Sequence, residues 1–108
     1  MLVTPFATDY LITIVLEPIE ETYEEDGYQI VGHEREIRLT AIFGLEGLII
    51  TGIDPQAARN GLIRIMLEHD DAGFKERIVG ILKGHGMSRE ELAEIVRGSD
   101  SEWLLETY

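Results

Sequence analysis

Three short groups of histidines and carboxylates are the residues of this 108-residue chain best suited to metal or acid–base chemistry. They are His33-Glu34, His69-Asp70-Asp71 and His85. Imidazole and carboxylate groups can bind zinc and other divalent ions together, and a carboxyl group with a raised pKa can act as a general acid. However, their spacing matches no diagnostic ligand pattern, and nothing in the sequence brings the three segments together. We therefore expect surface and helix-capping residues here, with no metal and no cofactor.

Nucleophilic chemistry has equally little support in the sequence. The chain has no cysteine, and its three serines, Ser88, Ser99 and Ser101, all precede or begin segments with helical patterns. None of them stands in a Gly-x-Ser-x-Gly elbow, and the phosphate-binding and dinucleotide-binding glycine motifs are both missing from the sequence. We expect no catalytic residues and a protein that is not an enzyme.

The most distinctive chemical feature of the sequence is an acidic segment with interleaved tyrosines. Between residues 17 and 36 the carboxylates are dense and Arg35 is the sole basic residue. Asp26-Gly27 is a turn signal, so we expect an acidic β-hairpin. Carboxylates can pair with Lys and Arg of a partner, and Tyr adds amphipathic contact area. The predicted partner-binding residues are Glu20, Glu21, Tyr23, Glu24, Glu25, Asp26 and Tyr28. The alternative is that this charge provides solubility and protects a strand edge from aggregation.

The overall charge limits the choice of partners. The formal net charge is −12, from 21 acidic and 9 basic residues. Such a charge repels nucleic acid and anionic membrane surfaces and favours a basic protein partner. No apolar run approaches the ~20 residues that span a bilayer, and the N-terminus does not have the pattern of a secretory signal. With no cysteine, we expect a cytoplasmic protein, of a bacterium or a virus-infected cell, or a virion component.

The elements that would position these residues divide into an N-terminal β part and a C-terminal helical part. Alternation predicts a first strand at Tyr10–Glu17, then a long strand at Tyr28–Phe43 that bends near Gly32. A turn at 44–47 would lead into a short buried strand at Leu48–Ile50. These three segments together predict an antiparallel β-meander.

Capping residues define the helical part. Asp54 and Pro55 fit an N-cap and a first helical position, while acids around residue 70 can cap a second helix that ends near Gly84. Ser88 and Glu91 fit a capping box, and a last short helix would run through Trp103. The predicted fold is therefore α+β, with order βββααα and three to four helices. It forms one domain over residues 1–108, with the sheet at 1–53 and the helices at 54–108.

The same patterns predict the core. Its expected members lie on the apolar faces of the strands and helices: Tyr10, Ile12, Ile14, Leu16, Leu39, Leu62, Met66, Ile78 and Leu82. Gly61 inside a predicted helix indicates a close approach of a neighbouring segment.

Residues 78–106 carry one local resemblance. In the stretch GMSREELAEIV, Ser88 would cap a helix, Ala93 lies where two helices would pack and Gly98 lies near a turn. This pattern resembles the helix-turn-helix of phage-repressor-like DNA-binding proteins, which implies a second helix in the major groove. Gly98 falls about one position late, however, and the would-be recognition helix holds carboxylates but no Lys or Arg: Asp100, Glu102 and Glu106. Because phosphates and bases are contacted mainly by Arg, Lys, Asn and Gln, we expect a structural or protein-binding unit here.

These observations favour a small acidic, non-enzymatic interaction protein, such as an inhibitor or accessory factor that engages a basic protein surface. One alternative is a structural or assembly subunit, for example a phage-particle component that packs against its own copies. Another is a divergent helix-turn-helix regulator. The sequence predicts no membrane association and leaves homo-oligomerisation open.

Overall fold

The computed structural model describes residues 6–17, 24–25, 28–29 and 32–108, and it is helical. Two two-residue strands, β1 (Glu24–Glu25) and β2 (Tyr28–Gln29), pair antiparallel, with Glu25 opposite Tyr28. A 3₁₀ helix at Glu102–Glu106 ends the order of elements. The α-helices are α1 (Phe6–Leu16), α2 (Gly32–Thr51), α3 (Pro55–Glu68), α4 (Ala72–Gly84) and α5 (Arg89–Val96).

The predicted α+β fold with a three-stranded meander is wrong. The expected first strand lies in α1, while most of the second and all of the third lie in α2. The expected turn at 44–47 is in the middle of α2. The acidic β-hairpin predicted as part of this sheet is wrong as well. The strands β1 and β2 are only two residues long each, and no third strand joins them in the described part of the chain.

The hydrophobic pattern of α1 fits a strand and a helix equally well, and packing selects the helix. Its run of apolar residues is almost continuous, so alternation and helical spacing both find an apolar face. The fully packed side chains are Thr8, Ile12 and Val15, at helical spacing. Tertiary contacts therefore override the strand preference of the β-branched residues.

Helix α2 is also selected by packing. Its buried residues, Ala41, Ile42, Leu45 and Leu48, recur at three- and four-residue intervals. The face predicted from alternation does not exist, since Ile37 and Phe43 are largely exposed. Within the described residues, no helix is both long and apolar enough to cross a membrane.

The helical boundaries predicted for the second half are confirmed. Helix α3 starts at Pro55, and Asp71 caps α4 by accepting the N–H of Phe74. Ser88 and Glu91 form both hydrogen bonds of the capping box before α5. Asp54 precedes α3 as expected, but its carboxylate accepts a hydrogen bond of 2.9 Å from the hydroxyl of Thr8 and so ties α1 to this turn.

The predicted core is right for α3 and α4 and only partly right for the first two helices. Leu62, Met66, Ile78 and Leu82 are buried, as is Ile12. Tyr10 is 67% exposed, because the helix turns it away from the face that holds Ile12. The remaining expected members are half-buried: Ile14, Leu16 and Leu39.

Gly61 makes the close approach that the sequence indicated. A Cβ at this position would lie 2.5 Å from Cδ1 of Ile12, so the glycine lets α1 sit directly on α3. Helices α1, α2 and α3 consequently pack against one another, and α4 packs against α3 and, less extensively, against α2.

Candidate functional site

An apolar opening lies between the first two helices. Leu11 and Ile14 of α1 form one wall, and the other comes from α2; the volume is about 470 Å³. Ile37 is 48% exposed in this groove, which is a large exposed fraction for an isoleucine. We call it the α1–α2 groove, and its α2 residues are Glu36, Ile37, Thr40 and Ala41.

A glycine contact and an arginine contact fix the geometry of the α1–α2 groove. A Cβ on Gly44 would lie 3.2 Å from Cδ1 of Leu11, so these helices are close there. Towards the other end, Arg38 of α2 donates hydrogen bonds to the carbonyl oxygens of Val15 and Glu17, at 3.1 and 3.2 Å. The two helices therefore run antiparallel, with the last turn of α1 beside the first turns of α2.

The sequence that precedes α2 carries an unbalanced negative charge. The first 31 residues hold no Lys or Arg, and their seven carboxylates are Asp9, Glu17, Glu20, Glu21, Glu24, Glu25 and Asp26. Among the groove's lining residues Glu36 carries a carboxylate, and Arg35 and Arg38 lie close to it in the sequence.

The predicted partner-binding residues are placed only in part. Glu20, Glu21, Tyr23 and Asp26 lie outside the described residues. Glu24 and Glu25 form the backbone of β1, and Tyr28 belongs to β2. Their prediction as a binding surface therefore stays a prediction.

His69 joins the loop between α3 and α4 to the Arg38 contact. Its Nε2 lies 3.0 Å from Nη1 of Arg38, and its Nδ1 lies 3.0 Å from the backbone nitrogen of Asp71. Its ring packs against Phe74 with centroids 5.1 Å apart. Burial lowers the pKa of His69, and the guanidinium of Arg38 lowers it further. The imidazole is consequently held neutral.

Asp71 is held ionised beside it. Burial alone would raise the pKa of Asp71, but the N–H of Phe74 and the guanidinium of Arg35 outweigh burial and lower it. The ion pair with Arg35 spans 3.3 Å, and the same guanidinium lies 5.0 Å from the centroid of Phe74. These contacts join α2 to the start of α4.

A second opening of about 510 Å³ separates α2 from α4. Arg77 covers the ring of Phe43 at 5.2 Å, and Glu46 and Glu76 also line this crevice. At one end, Nε2 of His85 lies 3.7 Å from a carboxylate oxygen of Glu46. This opening is more polar than the α1–α2 groove, and it carries both signs of charge.

The metal candidates form no cluster of three or more in the described part of the chain, and two of the serines make structural hydrogen bonds. Among the described residues, no group of three or more His, Asp or Glu could hold a metal ion. The side chains of His33 and Glu34 lie outside the description. Ser88 is a cap, whereas Ser101 is buried and accepts a hydrogen bond of 2.8 Å from Lys75.

The helix-turn-helix resemblance is realised only in its first helix. Helix α5 has the predicted cap and ends at Val96, followed by Gly98 at φ 72°. In the described range 97–108, the segment that would read DNA is a five-residue 3₁₀ helix, Glu102–Glu106. A helix this short and acidic presents little that could contact bases or phosphates.

Sequence reasoning missed the groove residues because it assigned them to strands. The signal that could have found them is the excess of apolar residues in α1 and α2 beyond what a single buried stripe uses. Comparisons with protein-family models, with curated proteins and with solved structures found no match to this chain.

Proposed function

We propose that this chain is a non-enzymatic interaction protein whose α1–α2 groove binds an amphipathic, basic helix of a partner protein. The observation that carries the proposal is the apolar groove itself, with Ile37 half exposed and Glu36 in its lining, in a chain whose first 31 residues hold seven carboxylates and no Lys or Arg. Apolar grooves of this kind accept the apolar face of a helix through residues at i, i+3, i+4 and i+7.

Apolar and charged contacts would contribute differently to binding. Leu11, Ile14 and Ile37 would bury apolar side chains of the partner, at about 25 cal/mol per Å² removed from water. Exposed ion pairs are worth only about 0.2–1 kcal/mol each. The carboxylates would therefore act mainly by steering a basic partner and raising its association rate. An inhibitor or accessory factor that occupies a basic protein surface fits this division.

A cytoplasmic setting, in a bacterium or a virus-infected cell, goes with this proposal, since the chain has no cysteine. The alternative of a structural subunit that packs on its own copies is favoured less, because copies of a chain with net charge −12 repel one another.

Two exposed isoleucines of α2 provide a matched test. Ile37 lines the α1–α2 groove, whereas Ile50, 67% exposed on the same helix, does not. The probe is a labelled helical peptide with Leu at i, i+3, i+4 and i+7 and Lys or Arg elsewhere. The control peptide has the same composition in scrambled order, because any polycation binds a protein this acidic.

We expect the amphipathic peptide to bind more tightly than the scrambled one in fluorescence anisotropy titrations. Ile37→Ser should weaken its binding about tenfold, which corresponds to ~1.4 kcal/mol, and Ile50→Ser should leave it unchanged. Circular dichroism would verify that both variants fold. Equal binding of the two peptides, or equal effects of the two substitutions, would overturn the proposal.

A further inference from the structure

Arg38 is the residue that attaches the end of α1 to α2. The last carbonyl groups of a helix have no partner within that helix and must find one elsewhere. Here Nη1 donates to the oxygen of Val15 and Nη2 to that of Glu17, so one guanidinium holds both carbonyls. The position of this turn sets one wall of the α1–α2 groove, because Ile14 and Leu11 lie on it and on the turn before.

His69 faces hydrogen-bond donors on both of its ring nitrogens. Arg38 is a donor only, and the backbone N–H of Asp71 is a donor as well. A neutral imidazole has a single lone pair to offer, so it accepts fully from one donor at a time. A second proton removes that lone pair and places a positive charge 3.0 Å from the guanidinium of Arg38.

We propose that His69 and Arg38 form a pH-sensitive lock, in which neutral His69 keeps Arg38 on the end of α1 and protonated His69 drives it away. As regulation of the α1–α2 groove, this rests on the proposed function. Release of Arg38 frees the carbonyls of Val15 and Glu17, loosens α1 from α2 and removes the shape that a partner helix would recognise.

The charges around His69 support this direction. Arg38 and Lys75 oppose the imidazolium, and Asp71 and Asp70 favour it. Asp71 is already engaged by Arg35 and by the N–H of Phe74. Together with burial, which is the largest effect, the balance keeps the pKa of His69 below its ordinary value of about 6.5. At neutral pH the lock is therefore closed, and it opens as the pH falls through the lowered pKa of His69.

The first test uses the protein without any partner. Backbone amide exchange, expressed as protection factors to remove the intrinsic pH effect, is measured between about pH 7.5 and pH 5, a range that spans His titration. We expect protection in α1 to fall about tenfold, which corresponds to ~1.4 kcal/mol, while α5 keeps its protection. Over this range Asp71 remains ionised, because its lowered pKa lies far below.

Two substitutions identify the histidine responsible. His69→Gln keeps a side-chain oxygen that can accept from Arg38 but cannot titrate, so the pH dependence of α1 protection should disappear. His85→Gln removes the histidine next to Glu46 and should leave that dependence intact. An unchanged pH dependence in His69→Gln, or equal protection in α1 at both pH values in the unmodified protein, would overturn the lock.

The peptide titration separates the lock from the groove function. If the lock controls the groove, affinity for the amphipathic peptide should fall at least as much as α1 protection does between the two pH values, and His69→Gln should abolish that fall. If α1 loosens while peptide affinity stays constant, control of the groove is refuted. Failure of the peptide to bind even at neutral pH would refute the groove function, while the exchange experiment still decides whether the lock exists.

Discussion

The two halves of this helical molecule differ in how their helices divide apolar from polar residues. In α3 and α4 the apolar residues that are not packed are few, and each helix buries one stripe. Helices α1 and α2 carry apolar residues on several sides, and the exposed ones are Tyr10, Ile37, Phe43 and Ile50.

This difference indicates where a partner surface can lie. A helix with one apolar stripe buries nearly all of its apolar residues in the core, so its sequence predicts which face packs and hence where the helix lies. A helix with apolar residues on further sides has side chains left over once the core is filled, and one of these, Ile37, lines the α1–α2 groove. The unbalanced negative charge belongs to the same half of the chain.

The largest effect should come from the core of the second half. Leu62 is fully buried in α3, between helices on both sides. Leu62→Ala should lower the free energy of unfolding by about 2–5 kcal/mol, through lost transfer energy and an incompletely collapsed cavity. Urea melts would measure it. A change below about 0.5 kcal/mol, which is typical of surface sites, would show that α3 does not hold the core together.

A smaller loss should come from a single cap. Ser88→Ala removes the side-chain acceptor of the N–H of Glu91, 3.1 Å away, and with it half of the capping box. We expect a loss of about 1 kcal/mol in the free energy of unfolding. Thermal melts of this variant can be compared with Ser99→Ala, whose hydroxyl donates to the oxygen of Val96. Equal losses in both variants would show that the capping box contributes no more to stability than the hydroxyl of Ser99 does.

These two predictions also show why the sequence predicted only half of the fold. Caps act through contacts three residues apart, so Asp71, Ser88 and Glu91 could be placed without knowledge of the tertiary structure. In α1 a nearly continuous apolar run satisfies both strand and helix periods, and tertiary contacts such as that of Ile12 with Gly61 decide between them. The groove could not be predicted either, since it exists only when two helices that were assigned to strands lie side by side.

An increase in stability should come from α2. A Cβ on Gly47 would meet nothing within 4 Å, and Gly within a helix costs about 0.5–1 kcal/mol relative to Ala. Gly47→Ala should therefore raise the free energy of unfolding by about that amount, as denaturant melts would measure. The control is Gly61→Ala, which gains the same helix propensity but pushes on Ile12 at 2.5 Å. If Gly61→Ala stabilises the protein as much as Gly47→Ala, the close packing of α1 on α3 is not a constraint.

The smallest effect on stability, with a clear effect on association, should come from the acidic segment. Changing Glu20, Glu21, Glu24 and Glu25 together to Gln preserves side-chain size and removes four of the seven carboxylates in the first 31 residues. The free energy of unfolding should be unchanged or slightly higher, because crowded like charges repel one another. Association with the amphipathic basic peptide should become slower and lose much of its salt dependence, while dissociation changes little.

Stopped-flow measurements over a range of salt concentrations would separate these rates. The matched control is Glu90→Gln with Glu94→Gln on α5, an exposed helix in the second half of the chain. Electrostatic steering depends on where the charge lies and not only on the total charge. Per carboxylate removed, this control should therefore lose much less of the salt dependence of the association rate than the quadruple variant does. If the two variants lose equal salt dependence per carboxylate, the acidic segment provides solubility only. The two halves would then differ in their apolar surfaces and not in how they attract a partner.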